Sequence, residues 1–180
     1  MRRKFASVSH WLTLALTLGL AAPVVAGPRD ADLRAIQNFK LTPDFLARYE
    51  AYEQQDVVQN PCALDPLLAL QNAAEHSMLD QTAAEYDAKP GAHAALQRHG
   101  LTAHDVLLGM AVWVGAAAQD LAAQNPELVK SGEIQLNPDF KISPENLVFY
   151  RQHKDEFRQH QMRLAQEQMQ RHGGHLPECK

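Results

Sequence analysis

Histidine supplies the residues best suited to chemistry. Nine occur in the 180-residue chain, eight of them past the first 26 residues: His76, His93, His99, His104, His153, His160, His172 and His175. His153 and His160 are seven apart, about two helical turns, and Glu156 lies within a turn of both. On one face of a helix the three could ligate Zn²⁺ or Cu²⁺. Met162 and Met169 are also seven apart, on the opposite face, and with His172 they make a weaker copper-like thioether and imidazole set. Neither set has the His-Glu-x-x-His or paired Cys/His spacing of a specific metal motif. Helix geometry gives His153 and His160 a simpler role, flanking Phe157 as half-buried residues at the edge of a core. That structural role is the expectation, with a metal site as the alternative and no other cofactor expected.

Cys62 and Cys179 are the two cysteines. In an exported protein they are expected to oxidise to one intramolecular bond tying the C-terminal tail to the loop after the first long helix. A loop of that length gains about 4 to 5 kcal/mol in chain-entropy terms. An intermolecular bridge and a free thiol are the other possibilities, and there is no Cys-x-x-Cys redox or haem motif. Catalytic signatures are missing too: no Gly-x-Ser-x-Gly elbow, no phosphate-cradling Gly-rich loop and no Ser-x-x-Lys. Acid pairs such as Asp155-Glu156 read as a solvated helix face. Nothing in the sequence motivates an enzyme.

The elements that must position these residues begin after an export signal. Met1 to Ala26 carries Arg2-Arg3-Lys4, an apolar stretch from Trp11 to Ala22, and Pro23-Val24-Val25-Ala26 with small residues at the −3 and −1 sites. This pattern predicts a cleavable signal peptide cut after Ala26, and a periplasmic or secreted product with no membrane segment left. Arg2-Arg3-Lys4-Phe5 also resembles a twin-arginine signal, whereas the Leu-rich stretch suits the general secretory route. Residues 27–180 then form a single helical domain, with 161–180 as its polar helix end and tail.

Without the leader's three basic residues the 17 Lys+Arg become 14 against 21 Asp+Glu, so the formal charge moves from −4 to −7. An acidic domain without a basic block excludes nucleic acid as the main partner. Past residue 26 there are 22 Ala and 18 Leu but only 7 Val and 3 Ile. This composition favours helix and starves a sheet.

Proline punctuates the chain. Pro43, Pro66, Pro90 and Pro144 stand where a helix takes proline at its first position. Helices are expected from Thr42-Pro43 to about Gln59, from Asp65-Pro66 through Tyr86, over Gly91–His99 with Gly100 as left-handed cap, from Thr102 to about Asn125, and from Ser143-Pro144 to about Gly173. Val106 to Ala118 carries no charge and marks the central buried helix; thirteen such residues do not span a bilayer. The last helix has an inward stripe of Leu147, Tyr150, Phe157 and Leu164. Beyond His160 it thins to a Gln-rich segment that must be solvated, paired or frayed.

Phe39-Lys40-Leu41-Thr42-Pro43-Asp44 and Phe140-Lys141-Ile142-Ser143-Pro144-Glu145 match in residue type, 101 positions apart. Repeated use of one capping device explains the echo better than duplication. Either origin predicts that the two segments lie side by side, with a short extended pairing as one form. The Phe39–Tyr49 run, His99-Gly100-Leu101-Thr102 heading an Ala-rich helix, and Asn137-Pro138 through Asn146, Phe149, His153 and Glu156 together resemble a loose group of uncharacterised small exported Ala-rich helical proteins of Gram-negative bacteria. The resemblance implies an exported helical domain. Leu41-Thr42-Pro43-Asp44-Phe45 and Leu101-Thr102-Ala103-His104-Asp105 more weakly resemble the Leu-Thr-x-x-Gln helix starts of periplasmic stress-response helical chaperones, though both lack the Gln.

The sequence thus predicts an all-α helical bundle of about five helices with a long C-terminal helix. It is expected to act by binding a protein partner or itself. The alternatives are a periplasmic Zn or Cu protein and a chaperone-like protein.

Overall fold

The computed structural model describes residues 30–72, 79–134, 136–175 and 179. The expected leader and its cleavage site lie outside these residues, as does His76. The described chain is all-α, with nine α-helical segments and no strand among the described residues. They are α1 (Asp30–Asn38), α2 (Pro43–Tyr52), α3 (Pro61–Leu64), α4 (Pro66–Asn72), α5 (Leu79–Asp87), α6 (Ala92–Arg98), α7 (Ala103–Gln124), α8 (Pro126–Ser131) and α9 (Pro144–Arg171). A π-helical turn, Glu53–Val57, continues α2.

The finer division has local causes. Each of Pro43, Pro61, Pro66, Pro126 and Pro144 begins a helix, so α3 and α8 arise where only connections were expected. Pro90 does not: Gly91, at φ 82°, is the residue before α6, so the proline belongs to the turn leading into it. Hydroxyl caps stand where expected. Thr42 Oγ1 accepts from Phe45 N at 3.1 Å, Thr102 Oγ1 from Asp105 N at 3.0 Å, and Ser143 Oγ from Asn146 N at 3.2 Å. Gly100 takes φ 63° while Leu101 N returns to Leu96 O, closing α6 with the left-handed cap.

Helix α7 is the centre of the bundle and packs against α1, α4, α5, α8 and α9. Its 22 residues are long and apolar enough to cross a membrane by length and composition, beyond the uncharged run seen in sequence. Val106, Leu107, Val112 and Ala116 are nonetheless fully enclosed by the other helices. Two glycines let neighbours reach its backbone. A Cβ on Gly109 would sit 2.1 Å from the Phe45 ring, and one on Gly115 would sit 2.2 Å from the Phe140 ring. The phenylalanines of α2 and of the segment before α9 therefore press directly on the α7 main chain.

The echoed segments do lie side by side, but no strand pairing joins them. The buried Asn146 side chain does so instead: its Oδ1 accepts from Leu41 N at 2.9 Å and its Nδ2 donates to Phe39 O at 2.7 Å. Lys40 and Glu145 add an exposed ion pair at 3.7 Å. Cys62 on α3 and Cys179 in the tail form the expected disulfide, with Cα atoms 5.0 Å apart.

Candidate binding seam between helices α2 and α9

Helix α9 is held on both of its flanks. On one flank Phe157 packs against Trp113 of α7, ring centroids 4.5 Å apart, and against Tyr49 of α2 at 6.2 Å. On another, the buried Asp120 of α7 accepts from Arg151 Nε at 2.7 Å and Lys154 Nζ at 2.9 Å. Burial alone would raise the Asp120 pKa, but the hydrogen bonds from Lys154 and Arg151 outweigh it and hold the carboxyl below its ordinary range. Of the expected stripe, Phe157 and Leu164 are buried, while Leu147 and Tyr150 pack part-buried against the core.

Between α2 and α9 the surface is concave. Pro43, Leu46, Ala47 and Glu50 form one wall of a groove of about 470 Å³, and His153, Glu156, Gln159 and Arg163 form the other. A second, more apolar concavity adjoins it at the start of α9, lined by Leu41, Pro144, Glu145, Val148, Phe149 and Gln152. The two meet at the Phe149 and His153 rings, whose centroids are 4.3 Å apart. Val148 is 52% exposed there. The α9 residues concerned, from Glu145 through Phe149, Gln152, Glu156 and Gln159 to Arg163, follow helical spacing along one face, so the two concavities lie end to end along a seam.

The structure separates the proposed metal set. His153 Nδ1 lies 3.3 Å from Glu156 Oε2 on the seam. His160 turns away into the core, its Nε2 3.2 Å from Glu53 Oε2 and its side chain 4% exposed. Among the described residues no group of three or more His, Cys, Asp or Glu side chains stands close enough to hold a metal ion. Met162 is exposed, and so are His172 and His175.

The histidines share a different habit. His93 lies 3.0 Å from Asp87, His99 2.8 Å from Asp56 and His104 3.2 Å from Asp80, so with His153 and His160 five of them face a carboxylate. Two of the five carboxylates, Glu53 and Asp56, belong to the π-helical turn. Glu53 also accepts from Gln161 Nε2 at 2.8 Å, and Asp56 pairs with Arg98.

A buried polar knot fixes that turn from below. The Tyr52 and Tyr86 hydroxyls share a hydrogen bond at 2.5 Å, and both lie within hydrogen-bond reach of the Leu64 carbonyl, which accepts the remaining proton of the pair. Burial, first of all, raises both phenol pKa values. Next to it, burial above all, with a further contribution from the nearby Glu53, pushes the Asp65 carboxyl up to about 6 despite hydrogen bonds from Leu67 and Leu68 N–H.

Sequence reasoning did not single out Glu53, Asp56 or Asp120, and it named Asn146 only within a resemblance, without its bridging role. Only Asn146 left a signal: it is the position at which the echo fails, with Phe45 in the first copy and Asn146 in the second. The chain matches no family, no curated protein and no solved structure with which it was compared.

Proposed function

We propose that this is an exported helical binding protein whose α2–α9 seam receives an amphipathic segment of a protein partner. The observation that carries the proposal is the seam itself: two neighbouring concavities along one face of α9, a shallow one apolar at Val148 and Phe149 and one polar at Glu50, Glu156 and Arg163. Such a gradient suits a segment with one apolar and one charged end. Export is supported by the basic-apolar-small leader and by the Cys62–Cys179 bond, which is compatible with an oxidising compartment.

Native mass spectrometry of the oxidised protein, purified from the cells that make it, tests the proposal. The expected spectrum contains the mature chain beginning at Gly27, together with a discrete complex that disappears in Val148→Glu. Free monomer at every concentration, identical in wild type and variant, would sink it.

A further inference from the structure

The distal part of α9 is held unlike the rest of the helix. Past Phe157 its buried apolar contact is Leu164. What fastens it to the end of α2 is polar: His160 and Gln161 on Glu53, and Arg171 on Gln59 at 2.6 Å. From the opposite side, His99 and Arg98 hold Asp56, one turn further along the same π-helical segment. Both imidazoles and both carboxylates are enclosed, with side-chain exposures of 4% and 8% for His160 and Glu53 and of 9% and 12% for His99 and Asp56. His160 Nε2 is buried and makes no aligned hydrogen bond, although it is within ion-pair distance of Glu53. In an enclosed site a proton on each imidazole turns a weak contact into an ion pair. π-helical turns within α-helices are a frequent location for such functional contacts.

We propose that the Glu53–Val57 turn is a pH-responsive clamp: His160 on Glu53 and His99 on Asp56 tighten it when the imidazoles are protonated, and the distal half of α9 loosens when they are not. The clamp borders the groove wall at Glu50, Gln159 and Arg163, so its release lengthens the seam toward Tyr49 and Phe157. This last consequence rests on the binding role proposed for the seam. The groups facing the clamp are Tyr49, Tyr52, Gln161 and the Phe157 ring around the two pairs, Arg98 on Asp56, and Asp65 behind Glu53. The Asp65 carboxyl behind Glu53 is itself raised to about 6, so the test is run in an Asp65→Asn background.

Hydrogen exchange on the oxidised full-length mature protein, corrected for intrinsic rates, reads the clamp directly. Protection of amides 160–171 is expected to fall at least tenfold from pH 5.5 to pH 8, while amides 147–156 change less than twofold. His99→Gln with His160→Gln should flatten that dependence. An unchanged dependence in the double variant, or equal loss along all of α9, overturns the clamp. If the double variant does not fold, the wild-type His160 ring-proton titration decides: its midpoint must coincide with the loss of protection, and a mismatch overturns the proposal. Failure of the seam is distinguishable, because Val148→Glu then leaves the native mass unchanged while the exchange pattern persists.

Discussion

Single residues in this protein acquire their properties from where the backbone leaves them. Asp65 is the clearest case. Its side chain must cap α4, accepting from Leu67 N at 2.8 Å, yet it lies behind Glu53 with little solvent. Its carboxyl is therefore raised to about 6, above the ordinary 3.8. A raised acid pKa means that the folded state binds the proton more tightly than the unfolded one, so stability increases as pH falls from about 7 toward 4 and is lower once Asp65 ionises. Asp65→Asn keeps the cap oxygen without the charge. It should raise stability at pH 7.5 by about 1–3 kcal/mol and flatten the pH dependence over that range in denaturant titrations. A variant less stable than wild type at pH 7.5 would show that Asp65 has an ionic partner when folded. None of this was readable in the sequence, where Asp65 is an acid before a proline. Its burial comes from contacts distant in the chain.

Elements were easier to foresee because their causes are local. Capping hydroxyls, first-position prolines and the Gly100 turn act within a few residues, and the sequence carried them to within a residue or two of their observed places. Helix α3 was not foreseen, since Pro61 starts a turn of helix where only a connection was expected, whereas the start of α4 at Pro66 was. Contacts between elements were also hidden. The sequence did not pick out Gly109. There the end of the Phe45 ring fills the space of a side chain, and Phe39 and Tyr49 hold that ring in place at centroid distances of 5.3 and 6.0 Å. Gly109→Ala should gain about 1 kcal/mol of helix propensity but lose more to the displaced ring, a net destabilisation of about 1–2 kcal/mol. Gly109→Ala combined with Phe45→Leu should recover part of that loss. Two losses that simply add would show that the ring and the glycine are not in contact.

For the whole molecule, the acidic, Ala- and Leu-rich composition foretold an all-α bundle, and the lone cysteine pair foretold its covalent closure. The seam was not foretold. The echo foretold that the segments before α2 and α9 lie side by side, and the Asn146 amide joins them, but it did not announce the concave surface between the helices that follow. The metal set illustrates the same limit: spacing placed His153, Glu156 and His160 on adjoining turns, but only tertiary packing turned His160 inward to Glu53. Binding through the seam is tested most directly by position-specific photo-crosslinking in the producing cells, with a photoreactive residue at Val148 and, as control, at Val129 of α8, which is 40% exposed. Binding through the seam predicts one discrete adduct at position 148, absent at position 129 and lost when Glu replaces Ala47 on the facing wall. Adducts equal at the two positions, or none at position 148, would contradict it.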